Sequence, residues 1–167
     1  TVLGANERIR LGIIGPRARG QEIMHWAINC PNVEFVGAAD IYTRRLEQAK
    51  QIAPNAKTYM DYRYLLEDKS IDATLIATPQ HLHCEHFTAA IAAGKHVYQE
   101  KTMAFTVDHA KRMRAAYEGA KGLTVQIGHH QPFVLHQRIA LRELGSPTIG
   151  QPVSGTIGTP LPGDPVR

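Results

Sequence analysis

The feature that most constrains this fold is the alternation of short apolar strands with helices along most of the chain. Strands are predicted at Ile9–Ile14, Val33–Ala39, Ala56–Tyr59, Ala73–Ala77, His96–Tyr98 and Thr124–Ile127. Helices are predicted at Gly20–Ile28, Arg44–Ile52, Tyr62–Glu67, Leu82–Ala93, Val107–Tyr117 and Phe133–Leu144. This alternation is typical of a mostly parallel sheet that is covered by helices on both faces. The sequence therefore predicts an α/β fold with a doubly wound sheet.

Several residues mark the ends and the buried faces of these elements. Asp61 and Thr106 are predicted N-caps, Thr43 is a further candidate, and Gly94 is suited to stop a helix. The uninterrupted apolar run "ATLIAT" indicates a central strand that is buried on both faces. Trp26 and the stripe in "LEQAKQIA" are predicted to pack in the core.

Length, composition and charge exclude several classes of protein. The chain has 167 residues, of which 43% are hydrophobic, and this suits one globular domain with its own core. No apolar run approaches the ~20 residues that span a bilayer, and "TVLGANERIR" lacks the apolar centre of a signal peptide. The net charge of +4 is spread along the helices, which favours a small anionic ligand over nucleic acid. Cys30 and Cys84 are too few for a disulfide framework and are predicted to be buried thiols.

The turn in "LGIIGPRARGQ" is similar to a G-x-G-x-x-G dinucleotide-binding loop that has lost its second glycine. Gly15 and Gly20 occupy the first and third glycine positions between a strand and a helix, and Arg17 replaces the second glycine. The Arg17 guanidinium could face a phosphate directly, with the helix N-terminus supplying amide donors. If φ of Arg17 had to be positive, that conformation would cost ~1 kcal/mol or more. The alternative is an ordinary strand–turn–helix corner with Arg17 and Arg19 at the surface.

Asp40 ends the second predicted strand, twenty residues after Gly20. A carboxylate at this position accepts hydrogen bonds from the adenosine ribose and favours NAD, because it would repel a 2′-phosphate. A helix cap is the alternative role for Asp40. Arg44 and Arg45 follow closely, so NADP stays open. Together with the turn, Asp40 predicts binding of a dinucleotide.

Two further stretches, "VGAAD" and "ATPQHLHCEHFTAAIAAGKHVYQEKTMA", resemble the Gfo/Idh/MocA oxidoreductases. In that family a strand ends in Thr-Pro, Asn-x-x-His opens a helix, and Gly-Lys-His-Val and Glu-Lys-Pro follow. The corresponding residues here are Thr78-Pro79, Gln80-His81-Leu82-His83, Gly94-Lys95-His96-Val97 and Glu100-Lys101-Thr102. The similarity covers about residues 8–131. Arg17, Gln80 and Thr102 depart from the pattern, and loss of the proline at 102 is expected to relax the loop that aims Lys101.

The resemblance implies a Rossmann domain with a defined cofactor site. It implies that Thr78 and Pro79 lie beside the pyrophosphate and ribose, and that Glu100 and Lys101 lie next to the nicotinamide. Lys101 would bind the reacting hydroxyl oxygen and help to take up its proton, and burial beside a cationic ring would favour its neutral form. His83 is expected to fix the loop near the cofactor, and His129 and His130 to line the substrate side. No metal is expected, since the histidines lack a complete ligand set at standard spacing.

The resemblance also implies a domain plan and a function. Residues 1–8 are an N-terminal extension, residues 9–131 the dinucleotide-binding domain, and residues 132–167 a linking helix and the start of a second, substrate-binding α+β domain. The family's catalytic Asp and His lie later in that second domain, which is expected to be absent or only begun here. The implied enzyme transfers a hydride between NAD, or NADP, and a hydroxyl of a sugar or polyol. An NAD-retaining glycosidase of this fold and a non-catalytic dinucleotide-binding module are alternatives. The full-length protein is expected to form a homo-oligomer in the cytoplasm, or in the periplasm if "VLGANERIR" follows a twin-arginine leader.

Overall fold

The computed structural model describes residues 8–129, which form a six-stranded parallel sheet. The strands are β1 Ile9–Ile14, β2 Val33–Ala39, β3 Lys57–Tyr59, β4 Ala73–Ile76, β5 His96–Glu100 and β6 Val125–Gly128. Their spatial order is β3-β2-β1-β4-β5-β6, so the chain runs outward from β1 to one edge and then outward from β4 to the other. This order is that of a doubly wound dinucleotide-binding sheet, and the predicted fold class is confirmed.

Five α-helices connect the strands, close to the predicted positions. They are α1 Ala18–Ala27, α2 Thr43–Ile52, α3 Tyr62–Glu67, α4 His83–Ala92 and α5 Val107–Gly119. A short 3-10 turn, Gln80–Leu82, precedes α4, so the helix predicted from Leu82 begins one residue later. The helix predicted at 133–144 lies outside the described residues.

The core consists of two apolar layers, one on each face of the sheet. Ile13, Met24 and Leu46 belong to the layer under α1 and α2, and Leu65 and Phe87 to the layer under α3, α4 and α5. In β4, Thr74, Leu75 and Ile76 are all buried, which confirms a central strand covered on both faces. The stripe in α2 also packs as predicted, through Leu46 and Ala49.

Two apolar side chains were predicted wrongly to be buried. Trp26 is 56% exposed, because it lies on the outer side of α1 and its ring faces the Arg19 guanidinium at 5.0 Å. Cys84 is buried in α4, where burial raises the pKa of its thiol, but Cys30 is exposed in the turn after α1. No helix of the described residues has the length and apolar character needed to cross a membrane.

The helix ends largely follow the predicted capping residues. The side chains of Asp61 and Thr106 accept the backbone N–H groups of Arg63 and His109, and Gly94 adopts φ +70° just after α4. Thr43 is not a cap, because it is the first residue of α2 and Tyr42 precedes the helix without a side-chain cap bond.

Lys95, the lysine of the Gly-Lys-His-Val stretch, has a structural role in the fold. Its side chain is buried, and Nζ donates to the carbonyl oxygens of Asp68 and Ile71 at 2.9 and 2.8 Å. Burial lowers the pKa of this lysine, while the nearby carboxylates of Asp68 and Asp72 oppose that shift. Lys95 therefore fixes the loop that enters β4, and it lies far from the carboxyl ends of the strands.

Candidate functional site

A cleft of about 880 Å³ opens at the carboxyl ends of β1, β2 and β4. Strand order reverses between β1 and β4, and open α/β sheets bind their ligands at this edge. The cleft is bordered by Gly15, Arg17, Asp40, Thr78 and Pro79, all of which the sequence placed at the site. Ile41, Tyr42 and Met60 also border it and are more than half exposed; nothing in their spacing had pointed to them.

The turn between β1 and α1 requires its two glycines. Gly15 adopts φ +83°, and a Cβ there would lie 2.7 Å from Thr78 Cγ2 and 3.1 Å from the Ala77 backbone. A Cβ on Gly20 would lie 2.6 Å from the Gly15 carbonyl oxygen. Both positions therefore allow close approach of the turn, the helix and β4.

Arg17 occupies the second glycine position without backbone strain. Its φ is −81° and its ψ is −174°, so the cost considered for a positive φ does not arise. It is the N-cap residue of α1, which has no side-chain cap and no acidic residue in its first turn. A helix N-terminus without a side-chain cap or an acidic residue suits an anion, because its backbone N–H groups and the helix dipole both favour negative charge. The turn thus fits the pyrophosphate of a dinucleotide.

Arg19 is paired with two carboxylates, which differs from the simple surface arginine that was considered as the alternative. Its guanidinium donates to Glu100 Oε1 at 3.0 Å and to Glu22 Oε2 at 2.7 Å. Glu100 is distant in sequence, at the end of β5, and no local pattern could have identified the pair.

Asp40 lies at the end of β2 with its carboxylate almost completely buried. Oδ1 accepts the Tyr42 backbone N–H at 3.0 Å, and both oxygens lie 3.4 Å from Arg45 Nη1. The Asp40 side chain is 5% exposed. The two roles considered for Asp40 are thus compatible, since it orders the entry to α2 and also borders the cleft. Arg17, Arg44 and Arg45 line a smaller adjoining pocket of about 410 Å³.

The end of β4 is held by two histidines of α4. His86 Nδ1 lies 3.0 Å from Thr78 Oγ1, and burial lowers the pKa of this histidine to about 4. His83 is completely buried, with Nδ1 2.7 Å from the Thr102 carbonyl oxygen and Nε2 2.9 Å from that of Thr78. His83 therefore joins the end of β4 to the loop after β5, and both of its ring nitrogens are engaged by these carbonyls.

The end of β5 carries the adjacent residues Glu100 and Lys101 in different environments. Glu100 is buried against Arg19, whereas Lys101 is exposed, so the expected burial of the lysine is wrong within the described residues. The following peptide bond, Lys101–Thr102, is cis. Gln99 is also buried, and its Nε2 donates to the Met103 carbonyl oxygen at 2.7 Å, which helps to hold the loop.

The remaining predicted residues lie near the end of the described chain. His129 follows β6 and is exposed, and His130 lies outside the described residues. Within residues 8–129, no three His, Cys, Asp or Glu side chains are grouped so that they could hold a metal ion.

Comparisons with known proteins identify relatives of this chain. The profile of GFO_IDH_MocA, described as an oxidoreductase family with an NAD-binding Rossmann fold, matches residues 9–129. The chain is 30% identical over 125 residues to the scyllo-inositol 2-dehydrogenase (NADP(+)) of Bacillus subtilis, covering 75% of this chain and 34% of the relative. It is 31% identical over 150 residues to the inositol 2-dehydrogenase of Pseudomonas fluorescens, covering 87% of this chain and 44% of the relative. The chain thus spans less than half the length of these relatives.

A solved structure also shares the fold. The myo-inositol dehydrogenase of Lactobacillus casei, in complex with NAD(H) and myo-inositol, matches with a TM-score of 0.77 at 27% identity. The match covers 82% of this chain and 41% of that chain.

Proposed function

Because the chain belongs to the Gfo/Idh/MocA family of oxidoreductases, whose Rossmann domain binds NAD, we propose that its protein transfers a hydride between a nicotinamide dinucleotide and a hydroxyl-bearing carbon of a polyol or sugar. The names of the two sequence relatives support inositols as the first substrates to test. The observation that carries the proposal is the cleft of about 880 Å³ at the β1/β4 edge. It is bordered by the turn that contains Gly15 and Arg17, by the Asp40 carboxylate and by Thr78-Pro79 just after β4.

Each part of the cleft suits a different part of the dinucleotide. The N-terminus of α1 and the turn that contains Gly15 and Arg17 would hold the pyrophosphate. The Asp40 carboxylate would accept hydrogen bonds from the adenosine ribose. The exposed apolar side chains of Ile41 and Met60 would pack against the adenine ring. Thr78 and Pro79 would border the ribose next to the nicotinamide.

Lys101 is proposed as the catalytic residue. The bound nicotinamide supplies the hydride acceptor, and oxidation of the alcohol also requires that its hydroxyl lose a proton. Lys101 follows β5 and is exposed, so its ammonium group can reach a substrate oxygen outside the sheet. A neutral lysine amine can accept that proton, and the ammonium form can return it in the reverse reaction.

Thermal unfolding with each cofactor tests the proposal. A ligand at ~100 times its dissociation constant adds ~2.7 kcal/mol to the free energy of unfolding, so NAD or NADP should raise the melting temperature. Adenosine, which lacks the phosphates, is the control and should stabilise the protein much less. If neither dinucleotide shifts the melting curve, the cofactor proposal is wrong.

Replacing Asp40 with alanine should weaken the binding of NAD. The substitution removes charge-assisted bonds to the ribose worth ~1.5–3 kcal/mol and frees Arg45 from its carboxylate partner. The preference for NAD over NADP should therefore narrow. Titration calorimetry of both cofactors against both proteins measures the change. If the unchanged protein binds NADP more tightly than NAD, Arg44 or Arg45 determines the choice of cofactor instead.

Replacing Arg17 with glycine tests whether the turn is a modified cofactor loop. We expect the substitution to weaken NAD binding by up to ~1.5–3 kcal/mol, because a guanidinium partner of the phosphate is lost. The salt dependence of binding should also fall. Titrations at low and high salt measure both effects. Since Arg17 has no positive φ to relieve, tighter binding by the glycine variant would contradict a phosphate contact.

The proposal also covers compartment and assembly. We expect a homo-oligomer in the full-length protein, and a cytoplasmic location unless the precursor carries a twin-arginine leader.

A further inference from the structure

Arg19 connects the turn after β1 with the end of β5. Its Nη2 lies 3.0 Å from Glu100 Oε1, and its Nη1 lies 2.7 Å from Glu22 Oε2. The Glu100 side chain is 6% exposed and that of Glu22 is 49% exposed, so one partner is buried and the other is at the surface. Trp26 packs on the same guanidinium. Within residues 8–129, Glu22 and Trp26 of α1 and Glu100 of β5 thus hold the arginine.

Tyr98 and Gly128 form the rest of the surroundings of the Glu100 carboxylate. The Tyr98 hydroxyl lies 3.4 Å from Glu100 Oε1, and burial raises the pKa of Tyr98, so its hydroxyl stays a neutral donor. Gly128 of β6 faces the pair, and a Cβ there would overlap the Tyr98 hydroxyl and lie 3.1 Å from Glu100 Oε1. Only a residue without a side chain leaves room for this group.

The Arg19–Glu100 ion pair joins the helix turn that would hold the pyrophosphate to the strand end that precedes Lys101. Arg19 borders the cleft in the first turn of α1, where the pyrophosphate would bind, and Glu100 directly precedes Lys101. A buried carboxylate that loses its cation is strongly destabilised, so movement of either end away from the other is costly. The ion pair therefore fixes the first turn of α1 and the end of β5 relative to each other.

We propose that Arg19 is a positioning residue which couples occupation of the phosphate turn to the order of the loop at residues 100–105. This inference rests on the proposed function, because it requires that a nucleotide bind at the turn. It assigns Arg19 no contact with the reacting atoms. Its effect reaches Lys101 through Glu100.

Hydrogen exchange with ADP as the probe tests the coupling. ADP carries the adenosine and pyrophosphate but has no nicotinamide, so it cannot reach the loop directly. In the unchanged protein, ADP should slow amide exchange at residues 15–21 and also, by about threefold or more, at residues 100–105. In Arg19→Met the slowing at 15–21 should remain and the slowing at 100–105 should be lost. Arg19→Lys should keep this response only in part, because a flexible ammonium group fixes the Glu100 carboxylate less firmly than a planar guanidinium does.

Matched variants separate coupling from a general loss of structure. Glu22→Gln removes only the surface partner and should keep the full response at 100–105. If Arg19→Met does not fold, Glu100→Gln, which keeps the shape and removes the charge, takes its place in the comparison. The inference is overturned if the variant retains the ADP response at 100–105, or if the unchanged protein responds at 15–21 alone. Absence of any response at 15–21 would refute nucleotide binding itself, and with it both proposals.

Discussion

Replacing Lys101 with alanine should lower the turnover of polyol by the active enzyme by ~10²–10⁴, the usual contribution of a positioned general acid or base. The affinity for NAD should change little, because Lys101 is exposed and lies beyond the turn and the carboxylate that would hold the cofactor. Steady-state rates with an inositol and titration of NAD measure the two effects. The free energy of unfolding should also be nearly unchanged.

Two further variants make the Lys101 result specific. Lys101→Arg keeps the positive charge but cannot give up its proton, so it should be nearly as inactive as the alanine variant. Lys111→Ala removes an exposed lysine from α5 and should leave turnover unchanged. Equal losses of NAD affinity and turnover in Lys101→Ala would show that the lysine has a structural role.

Acidification from pH 7 to pH 4 should lower the free energy of unfolding by about 3 kcal/mol through His86 alone. Burial holds the pKa of folded His86 near 4, whereas an unfolded histidine titrates near 6.5. Between these values the unfolded state binds more protons, so its stability relative to the folded state rises as the pH falls. The contribution of His86 to the free energy of unfolding is therefore fully present above about pH 6.5 and is lost as the pH falls towards 4.

Urea unfolding at a series of pH values measures this contribution. His86→Asn keeps an amide near the position of Nδ1 and should flatten the profile between pH 6.5 and 4.5. His25→Asn, on the exposed side of α1, should retain the slope of the unchanged protein. Hydrogen bonds from Arg63 lower the pKa of Asp61 to about 2, so this carboxylate titrates at lower pH and does not contribute to the slope between pH 6.5 and 4.5. A slope that persists in His86→Asn would contradict the assignment.

The sequence predicted the parts of this fold that depend on local patterns. Strand and helix positions follow from hydrophobic periodicity and from capping residues such as Asp61 and Thr106, and these are properties of neighbouring residues. The wrong predictions concern single side chains. Trp26 was expected in the core because it is large and apolar, yet it covers Arg19 at the surface. Which side of a short helix faces the sheet is decided by tertiary packing.

The site was predictable where a motif lies within one loop. Gly15, Gly20 and Asp40 have fixed spacing around β1, α1 and β2. The structure brings Gly15 and Asp40 to one cleft together with Thr78, and Gly20 lies against the Gly15 carbonyl oxygen. The pairs Arg19–Glu100 and His83–Thr102 join residues that are far apart in sequence, and no local pattern marks them. The exposure of Lys101 was also missed, because a family motif gives the identity of a residue without its surroundings.

The strand order has a consequence for a chain that emerges from the ribosome in sequence. The end of the cleft that would hold the adenosine is built from β1, β2 and the residues just after β3, so its components are synthesised as one continuous stretch. The proposed reacting end requires β4, which pairs with β1, and β5, which pairs with β4, and both can pair only after the intervening helices have been made. The contact between β1 and β4 is the non-local step, and such contacts form late because the loop between them must first be closed. A nascent chain would thus complete the half that we propose to anchor the nucleotide before the half that we propose to carry out chemistry.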